Sequence, residues 1–423
     1  MRICDLTTLY IDGGEAGFNT YLREKARFLA QQDGVEHIAI VPGAATGQRV
    51  LDRTTVHSIA SPRIPWNPLH RLLVNLPSVA RILRQFSPDV VEVDPSYILG
   101  HVAAEALAGR GARVFGFHHV HLPFHARLMG ARLPTMLARP LADITERFSW
   151  RYLAWCMRPL ERIFVASRDI LDRLRARGFD RLEHVPLGVN LSLFQPRDAG
   201  RLPAPRQTVL YAGRLNEEKE IEVLFDAFRR LSAIRTGACE DAPRLLVVGE
   251  GPMRPLAEAM ARDHDNVELR GFLPYGAAMA HVYREADVLV MPGRNESFGL
   301  ACVEALASGL PVVAISRGGP RDVVTPEVGA LARPGDPADL AEKISGVLAR
   351  AHNGTAHALA CSCRSHAEEH FSWERTFRRI LDVYEGETCA DAGSDTGSDA
   401  SVRTTSRRSC AEPAHSVGVP VRS

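Results

Sequence analysis

The chain has 423 residues, of which 45% are hydrophobic and 24% charged, and its formal net charge is +1. This is the composition of a soluble globular protein, and the length predicts roughly two to three domains. The near-zero net charge argues against nucleic acid as a partner and against a general attraction to anionic membranes.

Short apolar runs alternate with amphipathic helical patterns in two parts of the chain. The strand-like runs cover 2–6, 37–41, 89–93, 113–117 and 162–166 in the first part, and 208–213, 244–249, 266–271, 287–292 and 311–315 in the second. Continuous runs of Val, Ile and Leu indicate strands buried on both faces, and their alternation with helices indicates parallel sheets. The predicted fold class is α/β, with two doubly wound, Rossmann-like parallel-sheet domains that face a cleft.

A segment rich in Pro and Arg separates the two parts and lacks the periodicity of a helix or a strand. We predict an inter-domain linker at 191–207, an N-terminal domain over 1–190 and a C-terminal domain over 208–371. From 388 to 423 the chain is rich in Ser, Thr, Gly, Asp and Arg, with almost nothing to bury. We therefore predict a disordered tail over those residues.

Three glycines lie between the first predicted strand and the first predicted helix: Gly13, Gly14 and Gly17. A glycine-rich turn that leads from a strand into a helix often binds a phosphate, because the first helical N–H groups point outward there. We favour Gly17 as the phosphate contact because it stands at the expected start of the helix. The pair Gly13–Gly14 is the alternative, since the register of this loop stays open.

Histidines follow the predicted strand at 113–117 in the sequence VFGFHHVHLPFH. His119 and His121 would lie on the same side of an extended chain, a spacing that suits a metal site. No carboxylate or cysteine stands next to them to complete the ligand set, and the eight cysteines of the chain show no zinc spacing. We therefore predict no metal site.

Two cations stand on the loop after the first strand of the second part, Arg214 and Lys219. Above a helix start they would neutralise a diphosphate, with Arg able to bind it bidentately and Lys acting as a point charge. The alternative is an ordinary solvated loop in which Glu217 and Glu218 pair with these cations.

The next strand of the second part ends in the sequence VVGEGP, with Gly249 and Gly251 on either side of a glutamate. Two interpretations stay open for this turn. Its glycines either contact a nucleotide or form a tight connection between the strand and the following helix.

The stretch DVLVMPGRNESFGLACVEALASGLPVVAI predicts a strand and then a helix that starts near Phe298–Gly299 and stops at Ser308–Gly309. Free N–H groups and the helix dipole would make the helix start an anion site, and a diphosphate is the ligand that fits it. The groups concerned belong to Phe298, Gly299 and Leu300.

Two glutamates frame this helix start, with Glu296 before it and Glu304 eight residues later, inside the helix. A carboxylate accepts two hydroxyl groups at once, which suits a sugar or a ribose diol. The alternative is that Glu296 is a charge at the helix start and Glu304 a surface residue. Glu304 stands among apolar neighbours, where an unpaired carboxylate would be costly to bury, so we favour a functional role.

NESFGLACVE fits an E-x7-E motif, and it follows YAGRLNEEKE and VVGEGP in the order that one enzyme family shows. On these residues the chain resembles the retaining glycosyltransferases of family 4 (glycosyl transferase group 1), close to bacterial mannosyltransferase-like members. The resemblance extends from residue 1 to about 386. It implies the GT-B fold, an acceptor-side N-terminal domain, a nucleotide-sugar-binding C-terminal domain and a helix at about 372–386 that returns to the N-terminal domain.

The resemblance also implies a reaction. The enzyme would move a sugar from a nucleotide-diphosphate donor, with GDP-mannose favoured and a UDP-sugar second, to a hydroxyl of a glycan or glycolipid acceptor. Front-face attack on the anomeric carbon is expected, without a metal ion or another cofactor. Two competing functions stay open: a sugar-nucleotide epimerase or phosphorylase-like enzyme on the same fold, and a non-catalytic sugar-nucleotide-binding protein.

The resemblance assigns roles to individual residues. The catalytic residues would be His119, Arg214, Lys219 and Glu296. The donor-binding residues would be Gly14, Gly17, Gly249, Gly251, Phe298, Gly299, Leu300 and Glu304. The sequence departs from the family pattern at Asn190, which replaces an Asp, and at His121, where relatives often carry an Asp.

The segment 126–162 carries many arginines among Leu, Met and Trp. It predicts either peripheral contact with a membrane that holds a lipid-linked acceptor, or helices that cover the first sheet. The amino terminus is too polar for a signal peptide, and no apolar run reaches the roughly 18 residues of a membrane span. We expect a cytoplasmic protein, with peripheral contact at the inner face of the membrane as the open alternative.

Overall fold

The computed structural model describes residues 1–8, 10, 17–64, 67–95, 97–119, 135–197, 206–237, 242–352 and 355–386. Gly13, Gly14, His121, residues 198–205 of the predicted linker and the predicted tail lie outside these ranges. The described strands form two large sheets and a small hairpin. The predicted α/β class with two parallel-sheet domains is confirmed.

The first sheet contains eight strands. They are β1 (Arg2–Thr7), β2 (Glu36–Gly43), β3 (Gly47–Leu51), β4 (Thr54–Ala60), β7 (Val90–Asp94), β8 (Arg113–His118), β9 (Ile163–Val165) and β10 (Leu182–His184). Their order is β10-β9-β8-β7-β1-β2-β4-β3, and only β3, at the edge, runs antiparallel to its neighbour. The hairpin of β5 (Arg63–Ile64) and β6 (Asn67–Arg71) follows β4. The five strands predicted for this part are present, and the sequence analysis missed the others.

The second sheet contains six strands, all parallel. They are β11 (Thr208–Ala212), β12 (Arg244–Val248), β13 (Val267–Gly271), β14 (Val288–Met291), β15 (Val312–Ile315) and β16 (Gly329–Ala332), in the order β13-β12-β11-β14-β15-β16. The chain order reverses between β11 and β14. In open sheets of this kind, ligands bind outside the carboxyl ends of the strands at such a reversal.

Helices accompany both sheets. Those of the first part are α1 (Gly17–Leu29), α2 (Leu76–Phe86), α3 (Leu99–Ala106), α4 (Thr135–Met157) and α5 (Arg168–Arg175). Those of the second part are α6 (Ile221–Gly237), α7 (Arg254–Asp263), α8 (Ala277–Glu285), α9 (Leu300–Ala307), α10 (Pro320–Val323), α11 (Pro337–His352), α12 (Ala356–His370) and α13 (Trp373–Glu385). None of the described helices has the length and apolarity that a bilayer crossing requires.

The chain passes between the two sheets twice, and the two passages touch. Val189 N donates to Phe371 O at 2.7 Å. A Cβ built on Gly188 would lie 2.3 Å from the backbone N of Trp373, so only glycine fits there. After this contact α13 packs on the first sheet, where the ring of Tyr384 lies 4.9 Å from that of Phe115.

Asn190, the departure from the family pattern, also lies at this passage. Its Oδ1 accepts from Leu193 N at 3.0 Å, as an aspartate would, and its Nδ2 donates to Glu24 Oε1 of α1 at 3.1 Å. Asn therefore supplies both a cap and a donor to a buried carboxylate. An Asp at this position would instead place a second negative charge beside Glu24.

We expect Asn190→Asp to lower the free energy of unfolding by about 1–2 kcal/mol, because Glu24 loses a charge-assisted hydrogen bond. Urea unfolding measures the change. Ser192→Ala is the matched control, since it removes only the hydroxyl that donates to Asn190 Oδ1 at 2.8 Å. Equal stability of Asn190→Asp and the wild type would contradict the role of the amide.

A buried group of charged and phenolic side chains lies between β1, β7, α1 and α13, and the sequence analysis did not anticipate it. Lys25 Nζ lies 2.6 Å from Asp5 Oδ1, 2.9 Å from Glu92 Oε1 and 3.1 Å from Tyr384 OH. Tyr21 OH and Tyr384 OH both donate to Glu92, at 2.8 and 2.6 Å. One lysine thus joins two strands of the first sheet to the helix that returns from the second part.

Candidate active site

The starts of two helices meet where the carboxyl ends of the two sheets face each other. α1, which follows β1, begins at Gly17, and α9, which follows β14, begins at Leu300. A Cβ built on Gly17 would lie 3.1 Å from Leu300 Cδ1, so the two starts are in contact. Gly17 therefore stands at the helix start, as the sequence predicts, whereas Gly14 lies outside the described residues.

The start of α9 has the geometry of an anion site. Its N-cap, Gly299, has φ 91°, in the left-handed region that favours glycine. The backbone N–H groups of Phe298, Gly299 and Leu300 donate a hydrogen bond to none of the described residues. The helix dipole adds partial positive charge at this end. The helix ends at Ala307, close to the predicted stop.

A pair of glycines after β15 supports this loop, and the sequence analysis missed it. A Cβ on Gly318 would lie 2.5 Å from Glu296 O, and one on Gly319 would lie 2.2 Å from Phe298 Cα. Gly319 N also donates to Glu296 O at 2.8 Å. The two glycines thus fix the backbone on both sides of the helix start. The dipeptide Gly-Gly two residues beyond a buried strand was the available signal.

Lys219 and Glu296 form an ion pair at the start of α9. Lys219 ends a 3-10 turn, Glu217–Lys219, and its side chain is only 15% exposed. A Cβ on Gly293 would lie 3.1 Å from Lys219 Cα, so the loop after β14 packs directly on this turn. The structure therefore brings one predicted cation and one predicted carboxylate together beside the anion site.

Arg214 differs from Lys219 in its surroundings. Its guanidinium lies 2.9 Å from Glu218 Oε1, and its side chain is 68% exposed. The sequence analysis left open whether a loop glutamate pairs with this cation, and in this structure Glu218 does so. An exposed pair of this kind contributes little to stability, so the guanidinium can leave Glu218 for a stronger anionic ligand at small cost.

Gly249 and Gly251 have a packing role that explains their presence. Both have φ in the positive range, +142° and +154°. A Cβ on Gly249 would lie 1.9 Å from Gly213 O, and one on Gly251 would lie 2.3 Å from Leu215 O. The turn after β12 therefore supports the backbone on both sides of Arg214. Contact of these glycines with a nucleotide stays a prediction.

Glu304 lies inside α9 and is partly buried. Its Oε2 accepts from the hydroxyl of Tyr283 in α8 at 2.8 Å. Burial raises the pKa of the Glu304 carboxyl to about 7, although the hydrogen bond from Tyr283 opposes the rise. The carboxylate therefore changes its charge near neutral pH, and hydroxyl donors from a ligand would stabilise its ionised form.

His119 stands one residue beyond β8, at the carboxyl edge of the first sheet. Its ring stacks on that of Phe117 at 3.9 Å and meets Tyr21 edge-on at 5.2 Å. Burial, with smaller contributions from His118 and Lys25, lowers the pKa of His119 to about 3. The imidazole is therefore neutral at ordinary pH. Its Nε2 lies 3.4 Å from Oδ2 of Asp94, a residue that the sequence analysis did not single out.

The described residues contain no group of three or more His, Cys, Asp or Glu side chains placed to hold a metal ion. Lys219, Arg214 and the start of α9 place positive charge at the site. His121, the other member of the predicted histidine cluster, lies outside the described residues.

Two family models match the chain. Residues 16–193 match the family model described as Glycosyltransferase Family 4, and residues 206–350 match the model described as Glycosyl transferases group 1. A GDP-mannose-dependent alpha-(1-6)-phosphatidylinositol dimannoside mannosyltransferase of Mycobacterium tuberculosis is 31% identical over 362 residues, which cover 82% of this chain and 87% of the relative. A GDP-mannose-dependent alpha-mannosyltransferase of the same species is 28% identical over 299 residues, which cover 67% and 70%.

Among solved structures, sucrose-phosphate synthase from Thermosynechococcus elongatus aligns with a TM-score of 0.70 at 21% identity. The alignment covers 91% of this chain and 99% of that protein. At this level of identity the match concerns the fold, and it confirms the predicted GT-B arrangement of the two sheets.

Proposed function

The chain is a glycosyltransferase of family 4, and we propose that it transfers mannose from GDP-mannose to a hydroxyl of a glycan or lipid-linked acceptor. The transfer retains the configuration of the anomeric carbon. The ion pair of Lys219 and Glu296 beside the start of α9 carries this proposal, since it places a cation, a sugar-binding carboxylate and free N–H groups in one place. The two relatives named above support mannose and GDP over a UDP-sugar.

In the proposed reaction the donor diphosphate lies at the start of α9. Lys219, Arg214 and the helix N–H groups stabilise the negative charge that develops as the diphosphate leaves, which is the largest single contribution in reactions of this kind. The acceptor oxygen forms its bond to the anomeric carbon as the bond to the phosphate oxygen breaks, and the hydroxyl proton passes to the departing diphosphate. No metal ion takes part, because these groups supply the positive charge.

The sugar and the ribose are held by the remaining residues. Glu296 accepts hydroxyl groups of the sugar, and the neutral imidazole of His119 contacts the sugar from the first sheet. Glu304, deeper in α9, accepts the hydroxyls of the ribose. The donor thus spans the contact between the two helix starts, with the acceptor entering from the side of the first sheet.

A thermal-shift series with GDP, UDP and ADP, in the presence of EDTA, tests the donor. A ligand at 100 times its Kd stabilises the fold by about 2.7 kcal/mol, so GDP is expected to raise Tm by several degrees and ADP to leave it unchanged. Release of GDP from GDP-mannose is then expected to require an acceptor. Conversion of the sugar without an acceptor would identify an epimerase, and tight binding without turnover over a broad acceptor panel a binding protein.

The affinity for GDP should depend on pH through Glu304. With its pKa at about 7, the carboxyl is protonated at low pH and must ionise to accept two ribose hydroxyls, so binding weakens as pH falls. We expect the Kd of GDP to rise about 10-fold from pH 8 to pH 6. Titration calorimetry measures it, and Glu304→Gln should bind more weakly with no such pH dependence. A pH-independent Kd in the wild type would contradict the role of Glu304.

We also propose that α4 contacts the surface of an anionic membrane, as the arginine-rich segment suggested. Ile144 and Phe148, four residues apart on one face, are 61% and 70% exposed, and Trp155 continues the stripe. Arg147 and Arg151 lie exposed beside it. An apolar stripe with flanking arginines suits binding in the plane of a membrane interface, where a lipid-linked acceptor would be held.

Phe148→Glu is expected to lower the partition constant for vesicles that contain anionic phospholipid at least about 10-fold. The change removes an aromatic side chain that the membrane interface would bury and adds a negative charge that anionic lipids repel. Co-sedimentation measures it. Val50→Glu is the matched control, since Val50 is 73% exposed on β3, away from α4. Unchanged sedimentation of Phe148→Glu would exclude this surface.

A further inference from the structure

Asp94 is a buried acid with no assigned role. It is the last residue of β7, which lies between β1 and β8, so it stands at the carboxyl edge of the first sheet. It is only 4% exposed. Neither of its carboxylate oxygens accepts a hydrogen bond from any described residue. Its one recorded ion-pair contact within the described part of the chain is His119 Nε2, 3.4 Å from Oδ2.

The neighbouring acids on the same face of the sheet are satisfied, which sets Asp94 apart. Asp5 and Glu92 share Lys25, with distances of 2.6 and 2.9 Å. Within the described residues Lys25 forms no ion pair with Asp94, and its charge only partly offsets the rise in the Asp94 pKa that burial, Glu92 and Asp5 cause. Because an unsatisfied buried carboxyl destabilises a fold, its retention at the edge where ligands of such sheets bind calls for a functional reason.

We propose that Asp94 is a positioning residue for sugar transfer, which holds the imidazole of His119 in the orientation that contacts the donor sugar. The inference rests on the proposed function. Stacking on Phe117, at an interplanar angle of 4°, and the edge contact with Tyr21 fix the plane of the ring. Neither contact selects which nitrogen faces the cleft or which nitrogen carries the proton. A carboxyl at Nε2 selects which nitrogen faces the cleft.

The 3.4 Å separation is longer than a good hydrogen bond. Hydrogen bonds between catalytic groups often shorten when the substrate binds and excludes water. We therefore expect this contact to tighten in the complex with the donor.

Burial favours the neutral form of both partners. Burial raises the pKa of Asp94 well above its usual range, Glu92 and Asp5 raise it further, and Lys25 opposes them. Burial lowers the pKa of His119. The titratable groups that act on the pair come from β1, β7, β8, α1 and the segment after β7: Asp5, Glu92, His118, Lys25 and Tyr97. A neutral carboxyl group orients the ring without placing a full charge beside the sugar.

This protonation state makes asparagine the informative replacement, since its amide is neutral and similar in shape. We expect Asp94→Ala to lower kcat about 10- to 100-fold with the Kd of GDP unchanged, because misplacing one contact at a reacting centre costs this much. Asp94→Asn should stay within about 3-fold of the wild type by the same reasoning. In the His119→Ala background, Asp94→Ala should cause no further loss, since its effect passes through the imidazole.

The pH profile adds a readout that a purely structural role would not change. Raising the pH ionises Asp94, so wild-type kcat should fall on the alkaline side, and Asp94→Asn should lack that fall. Asp89→Ala is the matched control, because Asp89 directly precedes β7, at the end opposite Asp94, and its Oδ2 accepts from Arg2 N at 2.6 Å. It should leave kcat unchanged.

Three outcomes would overturn the inference: wild-type kcat in Asp94→Ala, equal losses in Asp94→Asn and Asp94→Ala, or a full further loss in the His119→Ala background. Failure of the proposed function shows differently, as a wild type that neither transfers nor hydrolyses mannose from GDP-mannose. The ¹⁵N shifts of the His119 ring then still test the contact. They should change in Asp94→Ala and not in Asp89→Ala, and unchanged shifts in both variants would overturn it.

Discussion

Replacing Lys219 with alanine is expected to lower kcat for sugar transfer about 100- to 1,000-fold, the cost of removing one preorganised group that stabilises charge in the transition state. Lys219 is largely buried beside Glu296 and the start of α9, so water replaces it poorly. KM should change less than kcat, because the charge on the leaving diphosphate grows during the reaction. Steady-state assays of GDP release measure both constants.

Lys343→Ala is the control for this prediction, because Lys343 lies on α11 and pairs with Glu342. It should leave kcat unchanged. Arg214→Ala should cause a smaller loss than Lys219→Ala, since the Arg214 side chain is largely exposed. Unaltered transfer by both Lys219→Ala and Glu296→Ala would contradict the assignment of the site.

Replacing Lys25 with methionine is expected to lower the free energy of unfolding by about 3–5 kcal/mol, because it leaves two buried carboxylates without their cation. Burial alone would raise the pKa of Asp5, but Lys25 and His37 bring it below its usual value. Without Lys25 the pKa of Asp5 rises, so the stability lost in the variant should become smaller as the pH falls and the Asp5 carboxyl becomes protonated.

Urea unfolding at two pH values measures this loss. Arg27→Met on the same helix is the control, because its pair with Glu24 is half exposed and contributes at most about 1 kcal/mol. Equal stability of Lys25→Met and the wild type would show that the buried group does not hold α1 and α13 to the sheet.

The sequence predicted the strands that a contiguous run of apolar residues marks. The runs at 89–93 and 287–292 became central strands because continuous apolar stretches can only be buried on both faces. The edge strand β3, nearly all exposed, and the short hairpin of β5 and β6 carry no such run, so the sequence analysis missed them.

In the site, too, the features that lie close together in sequence were predicted, and the contacts between distant segments were not. The start of α9 was predicted because Gly299 and the glutamates around it are close in sequence. The contact of Asp94 with His119 and the support from Gly318 and Gly319 depend on distances between segments that are far apart along the chain. Asn190 departs from the family pattern for a reason that only its partner in space, Glu24, makes clear.

Proton NMR of a reaction with GDP-mannose and a lipid-linked or glycan acceptor tests sugar transfer most directly. The expected result is loss of the donor anomeric signal, formation of GDP and a mannoside with the same anomeric configuration as the donor, with EDTA present and with Lys219→Ala nearly inactive. A product of inverted configuration, or consumption of GDP-mannose at equal rates by the wild type and Lys219→Ala, would contradict it.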